Sequence, residues 1–230
     1  MHLSAPIFRL KRDAKRLARA ENIALSTALD HVAAKEGFQG WSHLAARHAS
    51  KSPADSVITT LSPGDLVLIA ARPGHGKTLL AFELLARAGT LNRRGALFTL
   101  DYHERDVADR FRDIGREPDR DLIVDASDDI SADTIIARLK TLQMPTLFVV
   151  DYLQLLDQKR SNPPLDAQIK SLHGYVKKAG AIGVILSQID RRFELSGRQM
   201  PDLSDLRLPN PVDVALFDKT CFLHDGVLGV

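Results

Sequence analysis

Residues Leu66–Ala86, LVLIAARPGHGKTLLAFELLA, constrain this chain's fold more than any other stretch. An apolar run stops at Arg72-Pro73-Gly74-His75-Gly76-Lys77-Thr78 and resumes at Leu79 with helical spacing. That order predicts a strand, a glycine-rich loop and a helix in immediate succession. Glycine at 74 and 76 lets backbone N–H groups turn inward around anionic oxygens, and the helix opening there adds its positive end. Lys77 then reaches β- and γ-phosphates, and the Thr78 hydroxyl ligates Mg²⁺. The expected ATP-binding segment is therefore Arg72, Pro73, Gly74, His75, Gly76, Lys77, Thr78 and Leu79, with Ala71 where such loops usually begin with glycine.

Around this loop, short apolar runs alternate with amphipathic stretches. The runs cover 65–71, 95–100, 121–126, 146–151, 181–187 and 213–219, and the helical stretches lie near 77–90, 104–114, 131–142 and 165–179. Unbroken apolar strands separated by helices predict a mostly parallel sheet covered on both faces, a doubly wound α/β domain. Asp151 closes TLFVVD at the carboxyl edge of that sheet, where ligands bind, and is the expected second Mg²⁺ contact beside Thr78. The final CFLHDGVLGV reads as a hairpin turning at Asp225-Gly226.

Residues 1–50 have a different character. Ile7, Leu10, Ala14, Leu17 and Ala18 recur at three- and four-residue steps, with Arg9, Lys11, Arg12, Lys15, Arg16 and Arg19 between them. Ser26 and Ser42 are the expected caps of a second and a third helix, with Phe38, Trp41 and Leu44 as the core of a helical mini-domain. SKSPADS, 50–56, has linker composition. The expected division is a basic helical module at 1–50, a linker at 51–60 and an ATPase core at 61–230. Net charge is +2, but residues 1–50 carry +4 and the remainder −2. The basic run suits a phosphate backbone or an acidic partner, and equally a solvated helix face.

No apolar run approaches the roughly 20 residues of a membrane span, and no secretory signal is expected. Cys221 is the only cysteine, which excludes an intrachain disulfide and fits a reducing cytoplasm. His2, His31, His43 and His48 lack Cys or acidic partners at metal spacing, so no zinc site is expected from them. His75 lies in the loop itself, and His103, beside Asp101, reads as solvent-exposed.

LSPGDLVLIAARPGHGKTLLA, VVDYLQLL and ILSQIDRRFELSGRQMPDLSDLR, in this order and spacing, resemble the ATPase domain of replicative DnaB-type (superfamily 4) hexameric helicases, from about Leu61 to Arg207. The resemblance implies a RecA-like P-loop fold that binds and hydrolyses ATP with Mg²⁺ and acts on DNA in replication or in plasmid or phage metabolism. It further implies a ring of subunits with nucleotide at their interfaces, and a replication partner protein. Lys77, Asp101, Glu104, Asp151 and Gln188 are then the candidate catalytic residues. Gln188 would sense the γ-phosphate, or else be a polar strand-end residue satisfying backbone groups.

The family's water-orienting Glu matches Asp101, one methylene shorter, with Glu104 as the substitute; either also fits a helix cap or a first-turn acid. The loop Asp190–Pro211 would face single-stranded DNA through Arg191, Arg192 and Arg198, with Phe193 stacking on a base. The same loop also reads as an ordinary surface segment, because Glu194, Asp202 and Asp205 offset its charge.

No arginine follows Arg207, where the family carries a basic segment. A finger reaching a neighbouring nucleotide would have to be Lys219, Arg191, Arg192, Arg198 or Arg207. These departures keep a second function open: a slow or non-hydrolysing ATP-gated accessory protein without unwinding activity. A P-loop kinase would need an arginine-rich lid, which this sequence lacks.

Overall fold

The computed structural model describes residues 3–5, 7–47, 52–159, 161–208 and 210–229, apart from the side chains of Phe8, Ala46, Arg47 and Glu104. His2 and His48 lie outside the described residues. The chain divides into two compact units, residues 1–52 and 53–230.

The first unit holds three helices, α1 (Ile7–Glu21), α2 (Leu25–Lys35) and α3 (Trp41–Arg47). Leu10, Ala14, Ala28, Val32, Ala33, Phe38 and Leu44 form its core, with Trp41 packed against it at partial burial. The expected serine caps are displaced. Ala24 takes the N-cap position of α2 without a side-chain bond, so Ser26 lies inside the first turn. Ser42 also lies inside its helix, and the Trp41 N–H is instead accepted by Asp30 Oδ1 at 2.8 Å. The helical repeat sets the six bases of α1 on one arc opposite Leu10 and Ala14. Lys11, Arg12, Lys15, Arg16 and Arg19 are exposed on it.

The second unit is built on a seven-stranded sheet. Its strands are β1 (Leu66–Ala71), β2 (Arg94–Thr99), β3 (Ile123–Asp125), β4 (Thr146–Asp151), β5 (Ile182–Gln188), β6 (Lys219–His224) and β7 (Val227–Gly229). The sheet order is β3-β2-β4-β5-β1-β6-β7, parallel throughout except for the β6–β7 hairpin. Its helices are α4 (Pro53–Ile58), α5 (Lys77–Leu85), α6 (Glu104–Asp113), α7 (Ala132–Lys140), α8 (Leu165–Ala179) and the short α9 (Arg192–Leu195).

Burial on both faces follows from strand alternation. In β1, Leu66, Leu68 and Ala70 join one cluster with α7 and α8, while Val67, Ile69 and Ala71 join the other with α4, α5 and α6. The two-sided parallel sheet expected from the apolar runs is therefore present.

Two further expectations are corrected. The stretch read as linker contains α4: Pro53 takes the first helical position, where its missing N–H costs nothing. Ala54 and Val57 are buried, and Asp55 accepts from Arg87 Nε at 2.8 Å. The strand expected at 213–219 instead begins at Lys219. Asp213 caps a 3₁₀ turn at Val214–Leu216, and the Asp218 N–H and carboxylate bond Leu66 just ahead of β6. The hairpin itself turns where expected, with positive φ at Asp225 (48°) and Gly226 (80°).

Gly183 marks the tightest point of the sheet. A Cβ there would stand 2.6 Å from Phe148 Cζ and 2.8 Å from Leu66 Cδ1, both fully buried. Gly183→Ala is expected to destabilise the unit by about 1–3 kcal/mol through overpacking. Urea unfolding with an unchanged m-value and a lowered midpoint would show it.

Candidate nucleotide-binding site

Parallel pairing places the carboxyl ends of β1, β4 and β5 together, with β5 between the other two. The phosphate-type loop leaves β1 at Ala71 and enters α5 at Lys77. Gly74 (φ 83°) and Gly76 (φ 92°) hold the left-handed conformations that the sequence required of them. Lys77 Nζ donates to Asp151 Oδ1 at 2.7 Å, and Thr78 Oγ1 donates to Asp151 Oδ2 at 3.2 Å. Asp151, at the end of β4, is only 1% exposed. A hydroxyl and a carboxylate on one wall are hard oxygen donors of the kind Mg²⁺ takes, and the adjacent ammonium suits phosphate oxygens. Thr78 and Asp151 would hold the metal, which would neutralise phosphate charge when bound.

Gln188 ends β5 in register with Ala71, between β1, which leads into the Lys77 loop, and β4, which ends at Asp151. Its carbonyl accepts the Arg207 N–H at 2.8 Å, and Arg207 Nη1 approaches its side-chain oxygen at 3.4 Å. Asp101 lies two residues past β2, whose Thr99 pairs with Asp151. Although Asp101 is exposed by area, partial desolvation raises its pKa, followed by the charge of Asp151, with Lys77 opposing. That charge coupling places Asp101 within electrostatic reach of the Lys77–Asp151 pair. Glu104 opens α6, and its side chain lies outside the described part of the structure. His103 is exposed, as expected.

The loop beyond β5 folds differently from the simplest expectation. Phe193 is buried, with the His224 ring edge-on at 5.1 Å, so it is not available to stack on a base. This loop exposes Leu195 at 89% and Leu203 at 42%. Arg198 is held by Asp202 and by Asp205 Oδ1 (2.5 Å), whereas Arg191 and Arg192 are exposed. Lys219 is paired with Asp65 at the end of the sheet away from the loop. A groove between α7 and α8, lined by Asp133, Ile136, Lys140, Tyr175 and Lys178, also lies at that far end and is not the nucleotide site.

Four side chains were missed by sequence reasoning. The Lys77 ammonium stands 5.6 Å from the Tyr152 ring centroid, and the Tyr102 ring lies edge-on to Phe82 of α5 at 5.8 Å. Both tyrosines follow candidate carboxylates in sequence, the one signal available for them. Gln154, within the quoted DYLQ, donates to the Arg207 carbonyl at 2.7 Å and fixes the return of the loop. Glu194 accepts from Arg72 Nε at 2.8 Å, and Arg72 Nη1 donates to the Ile189 carbonyl at 3.0 Å, bracing the phosphate-type loop.

The chain matches the DnaB-like helicase C terminal domain over residues 51–115 and 112–213. It belongs to this family. Replicative DNA helicase DnaB of Mycoplasma pneumoniae is 25% identical over 75% of this chain and 45% of its own length. The Rhodothermus marinus DnaB is 28% identical over 89% of the chain and 26% of its own length. A probable plasmid replicative DNA helicase of Chlamydia trachomatis is 25% identical over 68% of the chain and 43% of its own length. The chain thus spans less than half of these relatives.

Among solved structures, the ATPase domain of G40P superposes with a TM-score of 0.58 at 18% identity, covering 80% of each chain. A DnaB-like replicative helicase, described with its primase interactions, gives 0.59 at 16% identity over 94% of this chain and 67% of its own. The fold is RecA-like. No helix among the described residues is long and apolar enough to cross a membrane.

In this DnaB-like site, the Asp101 carboxyl is expected to titrate above the ordinary carboxylate range, and to move down in Asp151→Asn, which removes the second cause of the shift. Carboxyl-carbon NMR titration of both proteins reads it. An Asp101 signal unchanged by the substitution would separate it from the Lys77–Asp151 pair.

Proposed function

We propose that this chain binds Mg-ATP and hydrolyses it while acting on DNA as a helicase-type motor domain. The observation carrying this reading is the buried Asp151 shared by Lys77 and Thr78 at the mouth of a glycine loop, inside a DnaB-like domain. Lys77 would exchange Asp151 for β- and γ-phosphate oxygens, and Thr78 and Asp151 would hold Mg²⁺. Asp101 would orient the attacking water, with Glu104 in that role if Asp101 falls short. Gln188 would relay the γ-phosphate state to the following loop. Arg191 and Arg192 would meet the phosphates of single-stranded DNA, with Arg198 joining them once freed from Asp202 and Asp205. DNA as substrate, a hexameric ring with nucleotide at its interfaces, a replication partner and a cytoplasmic setting are carried over from the family.

One observation favours a second reading, an ATP-gated accessory protein that turns over slowly. The carboxylate beside the site is Asp101, shorter than the family's Glu.

An ATPase assay with and without single-stranded DNA at low salt distinguishes the two. Stimulated turnover is expected, falling at least about 100-fold in Lys77→Ala, with Thr78→Ala as a milder second variant. Reversal of Arg191 and Arg192 to Glu is expected to lower the logarithmic salt slope of DNA binding by about 1.4. Asp101→Glu raises turnover if Asp101 positions water, while a parent that binds ATP without stimulated turnover and stays monomeric supports the accessory reading.

A further inference from the structure

We propose that His75, His224 and Asp225 form a divalent transition-metal site that fastens the phosphate-type loop to the β6–β7 turn. The parallel β1–β6 pair sets Ala71 against Leu223, so the loop residue four positions beyond one strand meets the turn that ends the other. His75 Nδ1 lies 3.3 Å from Asp225 Oδ1, and His224 Nε2 lies 3.7 Å from Asp225 Oδ2. One donor atom from each residue falls within 4.8 Å of the others. A tetrahedral ion with ligand bonds of roughly 2.0–2.1 Å has donor–donor edges of about 3.3–3.4 Å, so the three donors must draw together on binding.

The nitrogen assignments are consistent with ligation. His75 Nδ1 accepts the Asp225 N–H at 3.2 Å, so this nitrogen carries no proton, and its single lone pair would exchange that hydrogen bond for the ion. His224 Nδ1 is buried, leaving Nε2 to face the carboxylate. The two imidazoles stack at 4.7 Å with 13° between planes, and Phe193 lies edge-on to His224 at 5.1 Å, so the rings are already adjacent and one must turn to aim both in-plane lone pairs at one ion. Two imidazoles and one carboxylate suit Zn²⁺, Co²⁺ or Ni²⁺ better than Mg²⁺. Asp225 is half exposed and gives the ion a path in from solvent, with room for water as fourth ligand.

The test titrates the full chain with Zn²⁺ in the absence of nucleotide, against a chromophoric chelator, and repeats it with Co²⁺ by visible absorption. One Zn²⁺ per chain is expected, weakened more than about tenfold in His75→Gln and in His224→Gln. The Co²⁺ band should be lost in both. Asp225→Asn keeps a residue type that tolerates the left-handed turn, so the fold is retained, and it too should weaken binding. His173→Gln and Cys221→Ser should leave affinity unchanged. Lys77→Ala should also retain the ion, which separates this site from the ATP reading. Absence of saturable binding overturns the proposal, as does one site indifferent to Asp225→Asn and His224→Gln.

Discussion

The structure turns on a carboxylate that has left water. Asp151 is buried at the end of a central strand, and its desolvation is offset by the Lys77 ammonium and the Thr78 hydroxyl. That arrangement exists only because β1 and β4 flank β5 in one parallel sheet, so groups 74 residues apart meet over the end of the strand between them. Whatever draws the ammonium away must bring positive charge to Asp151 in its place, since an uncompensated buried carboxylate costs several kcal/mol. Mg²⁺ arriving with a phosphate would satisfy both demands together.

The surrounding bonds tie this pair to the neighbouring segments. Arg72 braces the glycine loop against Glu194 and the Ile189 carbonyl. Gln154, beyond the Asp151 strand, holds the Arg207 carbonyl, and Gln188 holds the Arg207 N–H. The segment from Ile189 to Arg207 is therefore anchored to the phosphate-type loop at one end and to the turns after β4 and β5 at the other. A nucleotide-dependent shift of Arg72 or Gln188 would have to break or re-form these bonds, which gives any coupling a physical route.

Local pattern made most of this legible. A strand, two glycines and a helix in one run require positive φ at Gly74 and Gly76, and no tertiary information is needed to expect it. The continuous apolar runs announced two-sided burial, and only β6 was misplaced, because VALF is apolar enough to read as strand while Asp213 caps a turn beneath it. SPADS was misread for the opposite reason. Its small polar residues look like a linker, yet Pro53 starts a helix and the Ala54–Val57 spacing buries one face. Phe193 was misjudged because a loop in sequence was assumed to be a loop in space, whereas it contains one short helix that turns the ring inward.

What stayed hidden depends on register. His75 and His224 are separated by most of the domain, and the adjacent His224-Asp225 pair alone makes no metal motif. Their meeting follows from Ala71 pairing with Leu223, which fixes how far each strand runs before its chain turns. A one-residue slip would send His224 to the other face of the sheet and leave His75 opposite the turn alone. The same reasoning covers Tyr102 and Gln154, whose neighbours Phe82 and Arg207 follow other strands. The phosphate-type loop is written in consecutive residues, while the groups that brace it are specified only by strand pairing, so spacing along the chain reveals the first and not the second.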